Sequence, residues 1–274
     1  MNGIGQSLLR QVQHATMQHG PLGCPSIMLN QGHHAMTNPL LRLPPKAILF
    51  DLDDTLWPIA PVIVQAEIAL HAWLAIHAPK VAQQFDIVDL RTQRLALLAL
   101  QPALKVDLGQ LRRVGLHRAF EQAGEDLVHV EGAMRHFFAA RNAVTLYDDV
   151  LPGLQRLKGQ MLVGSISNGN ADLAAIGLAG HFSVSLAAAQ FGSAKPDPAI
   201  FHAACAMLGV APHEALYVGD DLHYDVAGAQ NAGLRAVWLR RDDARVQQQG
   251  VISPDAICAN FDELLAWLQT QQQQ

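Results

Sequence analysis

Strand-length apolar runs alternate with amphipathic stretches along most of the chain, and this alternation restricts the possible folds more than any other feature. The predicted strands, each followed by polar or turn-forming residues, are residues 47–50, 161–166, 215–218 and 234–239. The predicted helices, each with apolar residues spaced for one buried face, are residues 147–157, 171–178, 198–208, 224–232 and 261–268. The alternation favours an α/β fold, a Rossmann-like doubly wound parallel sheet with crossover helices.

The interval between the first two predicted strands is about 110 residues long, which is too long for one crossover. Stretches inside it with little β-branched or turn-rich character are predicted to be helical, namely residues 61–77, 88–104, 109–122 and 131–142. They predict a helical cap domain at 61–145, inserted into an α/β core formed by 44–60 and 146–270. Residues 1–43 are rich in Gln, Gly, His, Asn and Pro, so we expect a disordered extension there.

Composition argues against several classes of protein. Charged residues make up 16% of the 274 residues and the formal net charge is −5, which gives no sign of a nucleic-acid footprint or a polybasic membrane surface. Cys24, Cys205 and Cys258 lie far apart, so a disulfide framework is not expected. No apolar run approaches the ~20 residues of a membrane span, and no signal-peptide pattern begins the chain. We expect a cytoplasmic protein that binds neither nucleic acid nor membranes; its oligomeric state is not indicated.

Three carboxylates follow the first predicted strand, in the sequence A-I-L-F-D-L-D-D-T-L-W that begins at residue 47. Ligands of open parallel sheets bind outside the carboxyl ends of the strands, which is where Asp51 and Asp53 would lie. Clustered carboxylates are costly there unless a cation neutralises them. A polar turn with helix-capping aspartates is the alternative. A calcium-binding EF-hand loop is excluded, because its sixth and twelfth positions would be Leu56 and Val62 instead of Gly and Glu.

Further polar residues lie where later strands end or a helix begins. Ser167 and Asn168 follow the second strand, Lys195 precedes a predicted helix, and Asp220 and Asp225 follow the third strand. Each alone is compatible with an ordinary turn or a surface side chain. Together they suit phosphoryl transfer through a covalent aspartyl phosphate, in which a lysine and a divalent cation offset the repulsion between carboxylate and phosphoryl group. Mg²⁺ is the expected cation, because it is hard and prefers oxygen ligands.

Four motifs resemble, in order and spacing, those of the haloacid dehalogenase (HAD) superfamily. They are D-L-D-D-T-L at 51–56, S-N-G-N at 167–170, A-K-P-D-P at 194–198 and V-G-D-D-L-H-Y-D at 218–225. The resemblance covers about residues 46–240, and the long insertion is similar to the helical cap of the superfamily's phosphatase-type members. It implies an Mg²⁺-dependent phosphatase that acts on a small phosphorylated metabolite.

The resemblance implies a role for each motif residue. Asp51 would be the nucleophile and an Mg²⁺ ligand, and Asp53 the general acid and base, whose backbone carbonyl also contacts the metal. Ser167 and Asn168 would bind the substrate phosphate. Lys195 would neutralise both Asp51 and the transferring phosphoryl group.

The last motif would complete the metal site. Asp220 is expected to be a carboxylate ligand of Mg²⁺, with Asp225 supporting the ligand shell. Asp54 and Asp221 are expected to be neighbours without a direct role.

Asp53 also bears on the choice between reactions. Members of the superfamily that displace halide need no acid at this position, so a phosphatase is favoured over a 2-haloacid dehalogenase. The chain is similar to bacterial phosphatases that act on FMN and on the riboflavin-pathway intermediate 5-amino-6-(5-phospho-D-ribitylamino)uracil. A nucleoside 5'-monophosphate or a sugar phosphate is the alternative substrate. A receiver-like phospho-accepting switch is least favoured, because receivers place the acidic pair before the phosphorylated aspartate.

Few residues indicate how the substrate is selected. Trp57 has two interpretations, stacking on a planar ring or packing against the helical domain, and the second is preferred. The arginines of the helical domain have two interpretations, contact with substrate or a solvated helix face, and the second is preferred for most of them; they are Arg91, Arg94, Arg112, Arg113 and Arg118. Residues 58–61 and 146–149 are predicted to be hinges.

Overall fold

A six-stranded, fully parallel sheet forms the centre of the protein. The computed structural model describes residues 44–241 and 252–272, so the extension predicted at residues 1–43 lies outside the described residues. The strands are β1 Ala47–Phe50, β2 Leu162–Ser167, β3 Val184–Ala187, β4 Ala215–Gly219, β5 Arg235–Leu239 and β6 Ala256–Cys258. The four predicted strands are present within one residue at each end. Strands β3 and β6 were not predicted from the sequence.

The strand order places β1 in the middle of the sheet, with β2 and β4 as its neighbours. Across the sheet the order is β3-β2-β1-β4-β5-β6. Ala47 pairs with Leu162 on one side and with Ala215 on the other, so these three strands begin and end nearly level. The segments that follow β1, β2 and β4 therefore converge at one edge of the sheet.

The helices between β1 and β2 account for the long interval in the sequence. They are α1 Ile59–His77, α2 Pro79–Gln84, α3 Ile87–Leu100, α4 Leu108–Ala123 and α5 Val130–Arg141, with 3₁₀ turns at Pro102–Val106 and Leu127–His129. Buried side chains from α1, α4 and α5, including Leu70, Phe120 and Phe137, form an apolar cluster of their own. The four predicted helices are present, although α3 ends early because Pro102 disfavours helical backbone in the residue before it. The domain boundaries at residues 60 and 146 stay predictions.

Helix α1 is long and apolar enough, by length and composition alone, to cross a membrane. The expectation that no stretch reaches this length is therefore wrong for α1. Core helices of soluble proteins pass the same test, and α1 contributes Leu70 and Leu74 to the apolar cluster just described. It also carries the buried carboxylate Glu67.

Helices cover both faces of the sheet, which confirms the predicted doubly wound α/β fold. The remaining helices are α6 Val150–Leu157, α7 Leu173–Ile176, α8 Ala188–Phe191, α9 Pro198–Leu208, α10 Gly228–Asn231 and α11 Phe261–Gln272. Alternate residues of β1 point to opposite faces. Phe50 stacks on Phe261 of α11 at a ring-centroid distance of 5.2 Å, and Leu49 packs in the cluster that contains Phe201 of α9.

The segment after β4 differs most from the sequence prediction. Instead of one α-helix over 224–232, residues Leu222–Ala227 form a π-helical turn that leads into α10. The Asp221 side chain caps this turn by accepting hydrogen bonds from the backbone N–H groups of His223 and Tyr224, both at 2.8 Å. The Asp225 side chain is buried within the turn.

Candidate active site

Lys195 lies at the centre of a buried polar network at the carboxyl edge of the sheet. Its Nζ donates to Asp51 Oδ1 at 2.6 Å, to Asp225 Oδ1 at 2.7 Å and to the Tyr217 hydroxyl at 2.9 Å. The Tyr217 hydroxyl in turn donates to the Ile166 carbonyl at 2.9 Å. All three donors of the ammonium group are therefore used, which fixes its position beside Asp51.

Burial and charge shift the ionisation of this network. The pKa of Asp51 is raised to about 7: burial raises it most, the Lys195 charge lowers it, and the Asp225 charge adds to the effect of burial. Burial alone would lower the pKa of Lys195, yet the Asp225 and Asp51 charges hold it well above its usual value. Lys195 is therefore a permanent cation, and Asp51 ionises most readily when a further cation is close.

Three carboxylates are arranged to hold such a cation. One oxygen each from Asp51, Asp220 and Asp225 lies within 4.8 Å of the others, and hard divalent ions prefer this donor set. Asp220 Oδ1 also accepts a hydrogen bond from the Thr55 hydroxyl at 3.3 Å. The fit is good for Asp51 and Asp220. Asp225 already accepts from Lys195 and from the backbone N–H of Asp221, which favours the supporting role expected for it.

The S-N-G-N segment begins with Ser167, the last residue of β2, and contacts Lys195 through Asn168. Ser167 is buried, and its hydroxyl accepts from the backbone N–H of Gly169 at 2.9 Å. The Asn168 side chain forms a two-way bridge to Lys195, donating to its carbonyl at 3.0 Å and accepting from its N–H at 2.8 Å. Asn168 therefore positions Lys195. Its predicted phosphate contact stays a prediction, for which its backbone N–H is the available donor.

Arg141 and Trp57 hold the carboxylate of Asp53. Arg141 Nη2 donates to both Asp53 oxygens, at 2.6 and 2.8 Å, and Trp57 Nε1 donates to Oδ1 at 2.9 Å. A Cβ atom at Gly169 would lie 2.4 Å from Asp53 Oδ2, so only glycine leaves room for this carboxylate. Asp54 turns away from this group: its side chain accepts from the N–H of Ile59 at the start of α1.

Sequence reasoning missed Arg141 and Tyr217. Arg141 is 88 residues from Asp53 and looks like an ordinary basic residue near the end of a helix, so no local signal marks it. Tyr217 lies in a run that was predicted only as an apolar strand, although a hydroxyl inside a buried strand needs a hydrogen-bond partner. Trp57 is fully buried, which agrees with packing and is incompatible with stacking on a bound ring.

A cavity of about 520 Å³ extends from these carboxylates into the helices between β1 and β2. The predicted site residues all line it: Asp51, Asp53, Ser167, Asn168, Lys195, Asp220 and Asp225. Arg91, Arg94 and Arg112 line it too, and all three pair with Glu67. The expectation of solvated faces is wrong for these three. Arg113 forms an exposed pair with Glu131, and Arg118 is exposed.

Comparison with known proteins identifies the family. Residues 45–233 match the family model of haloacid dehalogenase-like hydrolases. The chain is 31% identical to the 5-amino-6-(5-phospho-D-ribitylamino)uracil phosphatase YigB of Escherichia coli (strain K12), over 77% of this chain and 89% of that protein. It is 37% identical to a phosphoserine phosphatase of Thermus thermophilus, over 51% of this chain and 58% of that protein.

Solved structures agree on the fold. The chain resembles a 2-haloacid dehalogenase from Pseudomonas syringae pv. Tomato DC3000, with a TM-score of 0.77 and 38% identity over 82% of this chain and 99% of that one. It also resembles an HAD phosphatase from Thermococcus onnurineus, with a TM-score of 0.58 and 26% identity over 81% and 97%. The predicted resemblance is thus confirmed: the chain belongs to the haloacid dehalogenase-like hydrolases and is an enzyme of that family.

Proposed function

We propose that the protein hydrolyses phosphomonoesters through a covalent aspartyl phosphate on Asp51, with Mg²⁺ as cofactor. The observation that carries the proposal is the 2.6 Å contact between Lys195 Nζ and Asp51 Oδ1 inside the cavity. A carboxylate can approach an anionic phosphoryl group only where positive charge offsets the repulsion, and Lys195 supplies it at the attacking atom.

The chain's own residues account for the two chemical steps. Asp51 attacks phosphorus, so that a new P–O bond forms while the bond to the leaving oxygen breaks. Asp53 enters this step in its protonated form and donates that proton to the leaving oxygen, which departs as a neutral alcohol. Asp53 then takes a proton from a water molecule, whose oxygen attacks phosphorus. The bond between Asp51 and the phosphoryl group breaks, and inorganic phosphate leaves.

The metal and the phosphate have separate ligands. Asp51, Asp220 and the backbone carbonyl of Asp53 would hold Mg²⁺, with Asp225 in support. The ion, when bound, supplies positive charge at the phosphoryl oxygens. Ser167 and the backbone N–H of Asn168 would hold those oxygens.

Asp53 also favours hydrolysis of a phosphomonoester over displacement of a halide. An ester oxygen must be protonated to leave, whereas a halide need not be. The carboxylate of Asp53 lines the cavity and is held by Arg141 at 2.6 Å. The dehalogenase reaction remains the second candidate, because the 38% identical solved structure is described as a 2-haloacid dehalogenase.

We propose FMN or 5-amino-6-(5-phospho-D-ribitylamino)uracil as the substrate. The similarity to YigB over 89% of that protein supports it, and about 520 Å³ is in the usual range for small-molecule sites. A nucleoside 5'-monophosphate or sugar phosphate is the alternative. Residues 61–145 would form a cap that excludes water during the reaction, with hinges at 58–61 and 146–149. We keep a cytoplasmic location, without nucleic acid or membrane partners, as part of the proposal.

A phosphate-release assay with Mg²⁺ tests this function. The substrates are FMN, the ribitylaminouracil phosphate, nucleoside 5'-monophosphates, sugar phosphates and a 2-haloacid. We expect turnover of at least one phosphomonoester, loss of turnover on removal of Mg²⁺, and loss in Asp51→Asn, which removes the nucleophile. Full activity of Asp51→Asn, or halide release without phosphate release, would contradict the proposal.

A further inference from the structure

A second group of charged side chains lines the same cavity, in the part formed by the helices. Glu67 on α1 faces Arg91 and Arg94 on α3 and Arg112 on α4. Arg91 donates to Glu67 Oε2 from both Nε and Nη2, and Arg94 Nη2 donates to Oε1 at 2.7 Å. One cavity thus joins these arginines to the nucleophile Asp51.

The charges of this group do not balance. Burial alone would raise the pKa of Glu67, but the neighbouring arginines Arg94, Arg91 and Arg112 hold it below its usual value, so the carboxylate is ionised. Three guanidinium groups around one carboxylate leave two positive charges in excess, and the least exposed of these arginines is 8% exposed. Excess charge in a mostly buried place is costly unless a bound group compensates for it.

Arg112 is the member of the group best placed to bind something else. Its Nη2 lies 3.8 Å from Glu67 Oε1, within ion-pair range but beyond hydrogen-bond distance. Its guanidinium stacks 3.5 Å above the ring of Phe137, and both side chains line the cavity. Stacking fixes the plane of the guanidinium, and a fixed fork of N–H donors matches two oxygen acceptors in one plane.

We propose that Arg112, with Arg94 and Arg91 around Glu67, forms a subsite for paired, coplanar oxygen acceptors on the leaving group of the substrate. The inference rests on the proposed function, because it assumes that the phosphate is bound at Asp51. Two groups have this chemistry: a carboxylate, which offers both oxygens to one guanidinium, and the O=C–NH–C=O edge of a pyrimidinedione ring, as in the proposed riboflavin-pathway substrates, whose two carbonyls would accept from different guanidinium groups because an N–H lies between them. Apolar residues of the same cavity, such as Ile63 and Leu111, would contact the part of the substrate between the two ends.

The subsite can be tested with substrates that differ in the group farthest from the phosphate. FMN carries the ring edge, phosphoserine carries a carboxylate, and ribitol 5-phosphate lacks both. For the acceptor-bearing substrate that the native enzyme prefers, Arg112→Gln should lower kcat/KM about tenfold or more, mainly through KM. Ribitol 5-phosphate should be hydrolysed equally by both proteins. A preference for FMN identifies the ring edge as the ligand, and a preference for phosphoserine identifies the carboxylate.

The neighbouring residue provides the matched control. Arg113→Gln removes an exposed guanidinium from the same helix and should leave every substrate unaffected. Arg112→Lys keeps the charge but not the planar fork, and it should fold like the native protein, by its thermal unfolding midpoint, while showing the same selective loss. An equal loss on all three substrates, or no loss on any, would overturn the subsite.

Binding measurements separate this inference from the proposed function. The dephosphorylated alcohols bind without catalysis, riboflavin being followed by its fluorescence and serine by calorimetry. If no phosphate is released but Arg112→Gln weakens binding of one alcohol, the subsite stands and the proposed reaction fails. If phosphate is released but Arg112→Gln changes neither alcohol binding nor selectivity, the subsite fails and the reaction stands.

Discussion

Arg141, the last residue of α5, donates from one nitrogen to both carboxylate oxygens of Asp53, at 2.6 and 2.8 Å. The arginine side chain is 1% exposed, whereas the Asp53 side chain is 22% exposed and lines the cavity. The same guanidinium donates from Nε to Asn170 Oδ1 at 3.2 Å. The proposed general acid is thus fixed from the end of the helical segment as well as by Trp57, which follows it in the chain.

We predict that Arg141→Lys impairs reactions with poor leaving groups most. Lysine keeps a positive charge but lacks the planar guanidinium that contacts Asp53 through Nη2 and Asn170 through Nε, so Asp53 would lose its orientation for proton transfer. The first step with alkyl phosphates should slow about tenfold to a hundredfold, within the range general acid catalysis contributes. The first step with p-nitrophenyl phosphate, whose leaving group needs no proton, should slow much less. Rapid-quench measurement of alcohol or nitrophenol release in the first turnover shows the difference, because the later hydrolysis of the aspartyl phosphate uses Asp53 with either substrate.

The control for Arg141 is Arg135→Lys, on an exposed position of the same helix. It should leave both reactions unchanged. A parallel decline of the first-turnover rates for alkyl and nitrophenyl substrates in Arg141→Lys would mean that the pair does not act through the general acid.

We predict that Mg²⁺ affinity increases with pH between 6 and 8. The pKa of Asp51 in the metal-free protein is raised to about 7, chiefly by burial, so below that pH the carboxyl is protonated and the proton must leave before the metal binds. Above that pH the carboxylate is ready to bind. Calorimetric titration at several pH values, in buffers of different ionisation enthalpy, should detect proton release on binding at pH 6 and almost none at pH 8. A pH-independent affinity would contradict the position assigned to Asp51.

Tyr217→Phe should weaken both the fold and the reaction. The variant deprives Lys195 of one acceptor and leaves the Ile166 carbonyl without the hydroxyl donor, at a cost of about 1–3 kcal/mol in the free energy of unfolding. Lys195 would then be held by two carboxylates alone, and we expect a lower kcat with little change in KM. Urea unfolding and steady-state kinetics measure the two effects.

Glu67→Gln should destabilise the helical segment in a pH-dependent way. The variant leaves one buried and two partly buried guanidinium groups without a carboxylate, and removal of one partner from a buried ion pair costs about 3–5 kcal/mol. The pKa of Glu67 is lower in the folded protein than its usual value of 4.5, despite burial, because of Arg94, Arg91 and Arg112. Its contribution is therefore present above pH 4.5 and is lost as the pH falls through the folded-state pKa.

Chemical unfolding at pH 7 and at pH 3.5 should accordingly show a smaller difference between Glu67→Gln and the native protein at the lower pH. Glu131→Gln, which removes an exposed partner of Arg113, is the control. It should change stability by less than about 1 kcal/mol at either pH. If Glu67→Gln behaved like Glu131→Gln, the buried charge group would contribute nothing to stability.

The sequence predicted the parts of the protein that depend on local patterns. Buried parallel strands appear as short apolar runs, and the polar residues directly after them mark the carboxyl edge of the sheet. That is why β1 was predicted at its observed bounds and why Asp51, Lys195 and Asp225 were expected together. Strand β3 was not predicted because only one of its four residues is buried, and β6 because it has only three residues.

Side-chain partners that lie far apart in the chain could not be predicted from local sequence patterns. Nothing near Arg141 in the chain indicates that its guanidinium meets Asp53, and nothing near Arg112 indicates a shared carboxylate on α1. Charged residues on amphipathic helices are usually solvated, so the expectation for the arginines followed the general rule. Three of them depart from it because Glu67 offers a buried anion, which only the packing of α1, α3 and α4 brings within reach.

The wide separation of the paired residues along the chain has a consequence for how activity arises during folding. Lys195 is 144 residues from Asp51 and 30 from Asp225, and strand β1 must pair with both β2 and β4 before the three meet. The segment up to residue 194 contains the proposed nucleophile but lacks the lysine. Turnover would therefore be detected only after the central sheet has formed. Fragments or partly folded chains should release no phosphate even when their helices have formed.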